Sequence, residues 1–594
     1  MTGFRILVAV LLASSAITSA FGQQNESYSG GLVDDWTSHN VIFSDPSTEI
    51  DAVMNGPHEQ WRRIANDPRY RMQQIRRKGL WPGYKPAFAE SPSQNSGLGL
   101  TSFEALSRRP VGNGNDPINV DWSVTLGGAQ GASVPLSMYP AKYTSNPLVN
   151  PDCDNDFVVY TVNAAGSSAN QANIVGVNNL YPGFCSGTVP AVKFSYYVGT
   201  GHLKTSPVLS EDGSKVAFIE SIGGGNLGPY FHVLTLSSGS GEGNSGCPHL
   251  IPCNGTAYNA PLYLQPGQSP LNNAHQSALQ MNGGMGADIT YSSPYVDYAD
   301  DIAYVGDDGG RLHKFVGVFH GNAVEVKTAP WPVIVDGSTA LTSPVYDPVS
   351  RNVYIAGITS GRIYSVVAAT GVVASVAKVG TGIKTGPIVD GTNGTVFVST
   401  TNGANALLVQ ANTSLNRIVS TPMGASGIDE YNGAFDNEYY SNPAYGYMYF
   451  CGGGGGTNAS PTLYRVGFNG SGVMDSSNDG NSLRLVATGD TGPNYDCTPL
   501  TEVQNNNTST DLLLLGVKNG GSQTGCYGQG CIMSFDITSG FPRSAAATLP
   551  TGTAGKGTSG IIMDNISGEI GGAQMYYGDL NSLTGVQAAQ IGLQ

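Results

Sequence analysis

A short phrase recurs along this chain: a small hydroxylic residue, then Ser or Gly, usually Pro, two further residues, and often Asp. It stands as Thr205-Ser-Pro-Val-Leu, Ser292-Ser-Pro-Tyr-Val-Asp297, Thr342-Ser-Pro-Val-Tyr-Asp347 and Thr385-Gly-Pro-Ile-Val-Asp390. It returns as Cys497-Thr-Pro-Leu-Thr-Glu502 and Thr558-Ser-Gly-Ile-Ile-Met-Asp564, with a degenerate copy at Asn432-Gly-Ala-Phe-Asp436. Each copy is followed by a turn and a β-prone run, such as Ile302-Ala-Tyr-Val-Gly306 or Thr395-Val-Phe-Val-Ser399. A Gly or Asn turn then leads to a third run, such as Gly361-Arg-Ile-Tyr-Ser-Val-Val367, and Gly371-Val-Val-Ala-Ser-Val376 exemplifies a fourth. Four short strands joined by tight turns make one antiparallel meander. Repeated meanders bury both faces of every sheet by stacking around an axis, which is a β-propeller.

The spacing agrees: Pro294 to Pro344 is 50 residues and Pro344 to Pro387 is 43, the length of a propeller blade. The longer interval from Pro207 to Pro294 holds an insertion around residues 237–290. An earlier, divergent unit shows in Phe157-Val-Val-Tyr, Asn173-Ile-Val-Gly-Val and Val192-Lys-Phe-Ser-Tyr. The last unit lacks an outer strand, and Asn119-Val-Asp-Trp-Ser-Val-Thr-Leu126 can supply it and close the ring. The expectation is an all-β, eight-bladed propeller over residues 119–594, with seven blades as the alternative. Composition fits, because 81 glycines in 594 residues disfavour long helices and suit turns.

Residues 1–22 read as a signal peptide: Arg5, an apolar Ile6–Ile17 stretch, and small Ala20 and Gly22 before a cut. Residues 23–118 are expected to form a helical arm and a linker. His58–Lys78 has a helix-like apolar stripe of Trp61, Ile64, Met72 and Ile75, broken by Pro68. A Pro/Ser/Gly/Asn-rich stretch follows it. Residues 1–118 carry 11 basic and 11 acidic side chains, so the whole net charge of −15 belongs to the remaining 476 residues. That balance argues against nucleic acid as a partner, and the arm's basic residues are most simply complementary to an acidic ring. No later segment has the roughly 20 apolar residues of a transmembrane helix. The expected product is an exported monomer, secreted or periplasmic.

Eight cysteines suit such a compartment. Cys247–Cys253 and Cys526–Cys531 are close enough for local clips, and Cys153–Cys185 and Cys451–Cys497 follow by elimination and by position within the repeats. The C-x4-C spacing of Cys526 and Cys531 lacks the second pair of a zinc site.

Chemistry is sparse. His39, His58, His202, His232, His249, His275, His313 and His320 form no close metal pair, and His232 and His313 fall in third strands, where packing explains them. The glycine run 452–456 lacks the lysine and helix of a phosphate cradle. Asp152-Cys-Asp-Asn-Asp156 and Asp297-Tyr-Ala-Asp-Asp301, with Asp307 and Asp308, are oxygen-rich enough for calcium, although aspartates that cap turns give the same pattern. Lys204, Lys384 and Lys556 each precede the first strand of a unit. First strands line a propeller's axis, so these amines are candidates for one channel mouth.

Ser534-Phe-Asp-Ile-Thr-Ser-Gly540 and Ser365-Val-Val-Ala-Ala-Thr-Gly371 are similar to the turn phrase of the quinoprotein-like β-propellers. From Asp35-Trp-Thr-Ser-His-Asn40 to Gln587-Ala-Ala-Gln-Ile-Gly-Leu-Gln594, the chain resembles secreted bacterial propellers of that PQQ-dehydrogenase-like and YVTN type. The resemblance implies a propeller and leaves the chemistry open, because one fold hosts many functions. The family's tryptophan is missing after Gly371 and Gly540, and no adjacent Cys-Cys pair exists to cover a quinone, which argues against pyrroloquinoline quinone. The expected function is therefore non-catalytic binding of an extracellular or cell-envelope ligand, a glycan or a protein. A quinone-linked oxidoreductase, a carbohydrate-active hydrolase or lyase, and a structural surface protein are the alternatives.

Overall fold

The computed structural model describes residues 31–44, 63–78, 117–126, 134–146, 151–166, 172–196, 198, 201–222, 229–236, 276–280, 290–337, 339–454, 459–505, 508–565 and 573–590. The expected signal peptide, Cys247, Cys253 and most of the linker lie outside them. The described chain is all-β with short helices, and its strands form successive antiparallel meanders, each named here by the residue that opens its first strand.

The Ala141 meander runs Ala141–Thr144, Phe157–Thr161, Ile174–Asn178 and Ala191–Tyr196. The Val208 meander runs Val208–Leu209, Lys215–Glu220, Tyr230–Thr235 and Gln276–Gln280, so the long insertion returns an outer strand. The Tyr295 meander runs Tyr295–Asp297, Ile302–Gly306 and Arg311–Val316, and both Val324–Glu325 and Val333–Ile334 pair with its third strand. The Val345 meander runs Val345–Asp347, Asn352–Gly357, Arg362–Val367 and Val373–Lys378.

A nine-stranded sheet follows, made of the strand Val41–Ile42 and two meanders: Ile388–Asp390 to Ile418–Ala425, then Ala434–Phe435 to Ser482–Arg484. Their one register pair is Ala425 with Gly453. The Thr501 meander runs Thr501–Asn505, Thr510–Val517, Gly530–Asp536 and Ala547–Gly552. The Ile562 meander has Ile562–Asp564, Gln574–Asp579 and Thr584–Ala589, and its outer strand is Asn119–Thr125, with Ser123 opposite Val586. Strands more than 450 residues apart in sequence thus share one sheet, as ring closure requires. This arrangement is consistent with a β-propeller.

The recurring phrase now has a physical reading. Its first hydroxyl accepts from the second strand's N–H: Ser292 Oγ from Gly306 at 2.8 Å, Thr342 Oγ1 from Ala356 at 3.1 Å, Thr498 Oγ1 from Gly516 at 2.8 Å. Its closing Asp caps the turn between first and second strands. Asp347 accepts from the N–H groups of Val349 and Ser350, and Asp390 from those of Thr392 and Asn393. Between these polar ends the strands are buried on both faces, as in Val353-Tyr-Ile-Ala356, and each buried aliphatic side chain contributes roughly 1.5–3 kcal/mol.

The helical tract is broken at Pro68, as expected: residues 63–66 are helical, Asp67 is not, and a new helix, α1 (Pro68–Lys78), starts at the proline, whose missing N–H has no intrahelical partner at that first position. One feature departs from the sequence reading. The divergent unit has an innermost strand, Ala141–Thr144, that the phrase did not reveal. Its lead, Ser137-Met-Tyr-Pro140, departs from the pattern.

Candidate functional site

The leads into the first strands meet around an axis. The Tyr139 N–H donates to Ser206 Oγ, the Ser206 N–H to Ser293 Oγ, and the Ser293 N–H to Ser343 Oγ, each at 2.9 Å. In these three copies the second residue of the phrase therefore links its meander to a neighbour. Gly386 continues the belt without a side chain, since a Cβ there would lie 2.5 Å from the Ser343 carbonyl oxygen. Asn432 Nδ2 donates to the Gly386 carbonyl at 2.9 Å, and Thr501 Oγ1 to that of Ile561 at 3.0 Å. The Gly560 N–H donates to the Met138 carbonyl at 2.7 Å, which brings the belt back to its start.

Inside the belt is a vestibule of about 40 Å3. Ser206, Ser293, Ser343, Thr385 and Asn432 line its wall, Tyr291 and Lys384 its rim, and Trp36 and Asn40 its floor. The floor belongs to residues 31–44, which cross the ring. Leu32–Asp34 pairs antiparallel with Ala141–Thr144, and Val41–Ile42 pairs parallel with Val389–Asp390. Between them Trp36 Nε1 donates to the Pro294 carbonyl at 3.0 Å, and Asn40 Nδ2 to that of Pro387 at 2.9 Å. The vestibule is blind at this end.

Helix α1 holds the crossing segment. Its arginines reach separate meanders: Arg69 to the Val296 carbonyl at 2.7 Å, Arg71 to Glu211 at 3.4 Å, and Arg77 to Glu502. Arg76 bonds Asp34 at 2.6 Å and also the Met563 carbonyl. The arm's positive charge therefore meets the ring's carboxylates directly. Burial raises the Asp35 and Asp297 carboxyls to about 6 and lowers His39 to about 4.

Two of the lysines singled out in the sequence stand at or beside the rim. Lys384 lines the rim and pairs with Asp429 at 3.2 Å. Lys204 lies over the ring of Tyr291, its nitrogen 5.0 Å from the centroid. Lys556 is exposed, its N–H bonded to Asn581, and it is not among the residues lining the vestibule. Beside Lys384 stands a carboxyl that sequence reasoning missed. Glu430 is only 5% exposed, and burial, followed by Asp429 and Asp496, raises its pKa to about 8. Its position just ahead of the degenerate phrase was visible in the sequence, but its burial was not.

The other candidates serve the fold. Asp152 accepts from the N–H groups of Asp154 and Asn155, and Asp156 from that of Ser145, all within one turn region. Asp301 accepts from the N–H groups of Phe319 and His320, and Asp300 pairs with Arg63 at 2.8 Å. Among the described residues no group of three or more His, Cys, Asp or Glu side chains is placed to hold a metal ion. His232 bonds Glu220 at 2.9 Å, and His313 lies between Asp307 at 3.1 Å and Glu325 at 2.7 Å, all fully or almost fully buried. Burial works to lower the His313 pKa, but its two carboxylates win and raise it. Cys153–Cys185, Cys451–Cys497 and Cys526–Cys531 are disulfides. No described helix is long and apolar enough to cross a membrane.

The architecture defines a class, all-β with meanders in the manner of a propeller. No family model matches the chain, and no curated protein matches it. Solved structures similar to it include BamB from Moraxella catarrhalis, at TM-score 0.37 and 11% identity over 79% of this chain and 97% of that one. Sqt1 from Saccharomyces cerevisiae reaches TM-score 0.43 at 9% identity, covering 80% of this chain and 100% of that one. The WD40 domain of Toxoplasma gondii coronin reaches 0.33 at 10% identity over 63% and 78%. The propeller reading rests on this chain's own topology.

Proposed function

We propose that this chain is an extracytoplasmic, non-catalytic β-propeller of eight blades that binds an extracellular or cell-envelope ligand at the Tyr291–Lys384 mouth. The observation that carries the reading is the blind vestibule, a polar belt of Ser, Thr and Asn side chains floored by Trp36 and Asn40. Such a surface offers hydrogen-bond donors and acceptors to a glycan or to a polypeptide end. The blade count follows from treating the nine-stranded sheet as two blades joined at a single register pair. The disulfides support the compartment.

A glycan array probed with the purified protein and with a Lys384→Ala/Tyr291→Ala variant tests this reading. Both side chains are at least partly exposed, so the fold should survive. Binding by the wild type that the variant loses supports it, and binding that the variant keeps places the ligand elsewhere. Reduction of a redox dye by alcohols or sugars after quinone addition would contradict the non-catalytic reading.

A further inference from the structure

A second polar surface lies on the Thr501 meander. The loop between Thr510–Val517 and Gly530–Asp536 ends in a six-residue ring closed by Cys526–Cys531. Within it Tyr527 is 81% exposed and has a left-handed backbone with φ of 55°, which non-glycine residues seldom adopt. The loop is rigid. Gly521 N–H donates to the Gln529 carbonyl at 2.9 Å, Gly528 N–H to that of Gly521 at 3.1 Å, and Gln529 N–H to that of Cys526 at 3.0 Å. Nothing in this arrangement buries the tyrosine ring, so its placement does not serve the core.

A neighbouring loop completes the surface. Val486 bridges Gly521, and the Ala487 N–H donates to the Gly520 carbonyl at 3.0 Å. Asp490 and Tyr495 both stand against Gly520, where a side chain would collide with them. The charge of Asp490 raises the pKa of the Tyr495 hydroxyl. The Cys451–Cys497 disulfide ties the end of this loop to the strand Tyr447–Gly454. Gly489, Gly492 and Gly528 have no neighbour within 4 Å of where a Cβ would sit, so a ligand can approach the backbone there.

We propose that this disulfide-braced shelf is a binding site for neutral carbohydrate, with a pyranose ring stacked on Tyr527 and its hydroxyls bonded to Asp490. The chemistry selects the class. An aromatic face held open to solvent suits the C–H face of a sugar, while a carboxylate accepts hydroxyl protons. Tyr527 is the one large exposed hydrophobic residue among the described parts of 486–496 and 518–531, so the shelf lacks the apolar core of a protein interface. Lys518 is engaged by Asp496 and the Pro493 carbonyl, which leaves Asp490 to repel acidic sugars. Tyr527 and Asp490 do not line the vestibule, although Asp496 links the shelf to the rim by accepting from the Asp429 N–H at 3.1 Å.

The test titrates the intact protein with neutral hexasaccharides (glucans, mannan and chitin fragments) and with an oligouronate, following ligand-observed NMR. The expected result is binding of at least one neutral oligosaccharide, weakened at least ~10-fold by Tyr527→Ala and kept within about threefold by Tyr527→Phe. Unchanged melting temperatures would show that the variants fold. Glycans that the Lys384→Ala/Tyr291→Ala variant loses on the array should be kept by Tyr527→Ala, so failure at the shelf and failure at the mouth are read separately. No neutral binding, binding indifferent to Tyr527→Ala, or a preference for the oligouronate would overturn the proposal.

Discussion

Lys142 shows how a single residue depends on closure of the ring. It is 99% buried, 3.0 Å from Asp564 and 3.9 Å from Asp156, and its ammonium also donates to Thr144 and the Tyr143 carbonyl. Tyr181 bridges the same two aspartates at 2.7 and 3.0 Å. Lys142→Met should cost about 3–5 kcal/mol of unfolding free energy by chemical denaturation, because it strands buried carboxylates. Glu430 carries a second prediction. Its folded carboxyl holds a proton up to about pH 8, whereas an unfolded glutamate releases it near 4.5. The folded state thus binds more protons across that window, and stability falls as pH rises through it. Between pH 6.5 and 9 the wild type should lose stability that Glu430→Gln keeps, as read by melting temperature. Neither role was legible in the sequence. Lys142 and Asp564 are 422 positions apart, and burial, which sets Glu430's proton affinity, is a property of the assembled ring.

At the scale of elements, the phrase was legible as a recurrence because its fullest copy, Thr342 to Asp347, combines three local tasks: one hydroxyl bonds within its blade, the next reaches its neighbour, and the Asp caps a turn. Ala141–Thr144 escaped notice because its lead achieves the same belt contact through the Tyr139 N–H, with no phrase to mark it. Residues 31–44 escaped because Leu32–Asp34 and Val41–Ile42 are too short to read as strands and gain partners only across the ring. Helix α1 was legible in its charge and in the break at Pro68. Arg77 pairs with Glu502 and stacks over Tyr440. Arg77→Ala should leave Glu502 beside the buried Asp511 without its cation, and a loss of roughly 2–4 kcal/mol in denaturant unfolding is expected. The Cys451–Cys497 bridge joins two meanders, so Cys451→Ala/Cys497→Ala should lower unfolding free energy by about 2–4 kcal/mol.

For the whole molecule, the acidic ring and the basic arm form one electrostatic unit, which the division of charge at residue 118 foreshadowed. The vestibule and its floor require that the chain's far ends meet in one sheet. An engineered cross-link tests that directly. Ser123 and Val586 are register partners on neighbouring strands, 463 positions apart in sequence. Facing strand positions lie ~4.5–5.5 Å apart at Cα, within reach of a disulfide. With Ser123→Cys and Val586→Cys, peptide mapping under oxidising conditions should recover one peptide pair joined through these two cysteines, and the variant should melt above the wild type. Failure of the two thiols to pair, in a variant otherwise folded, would contradict a closed ring.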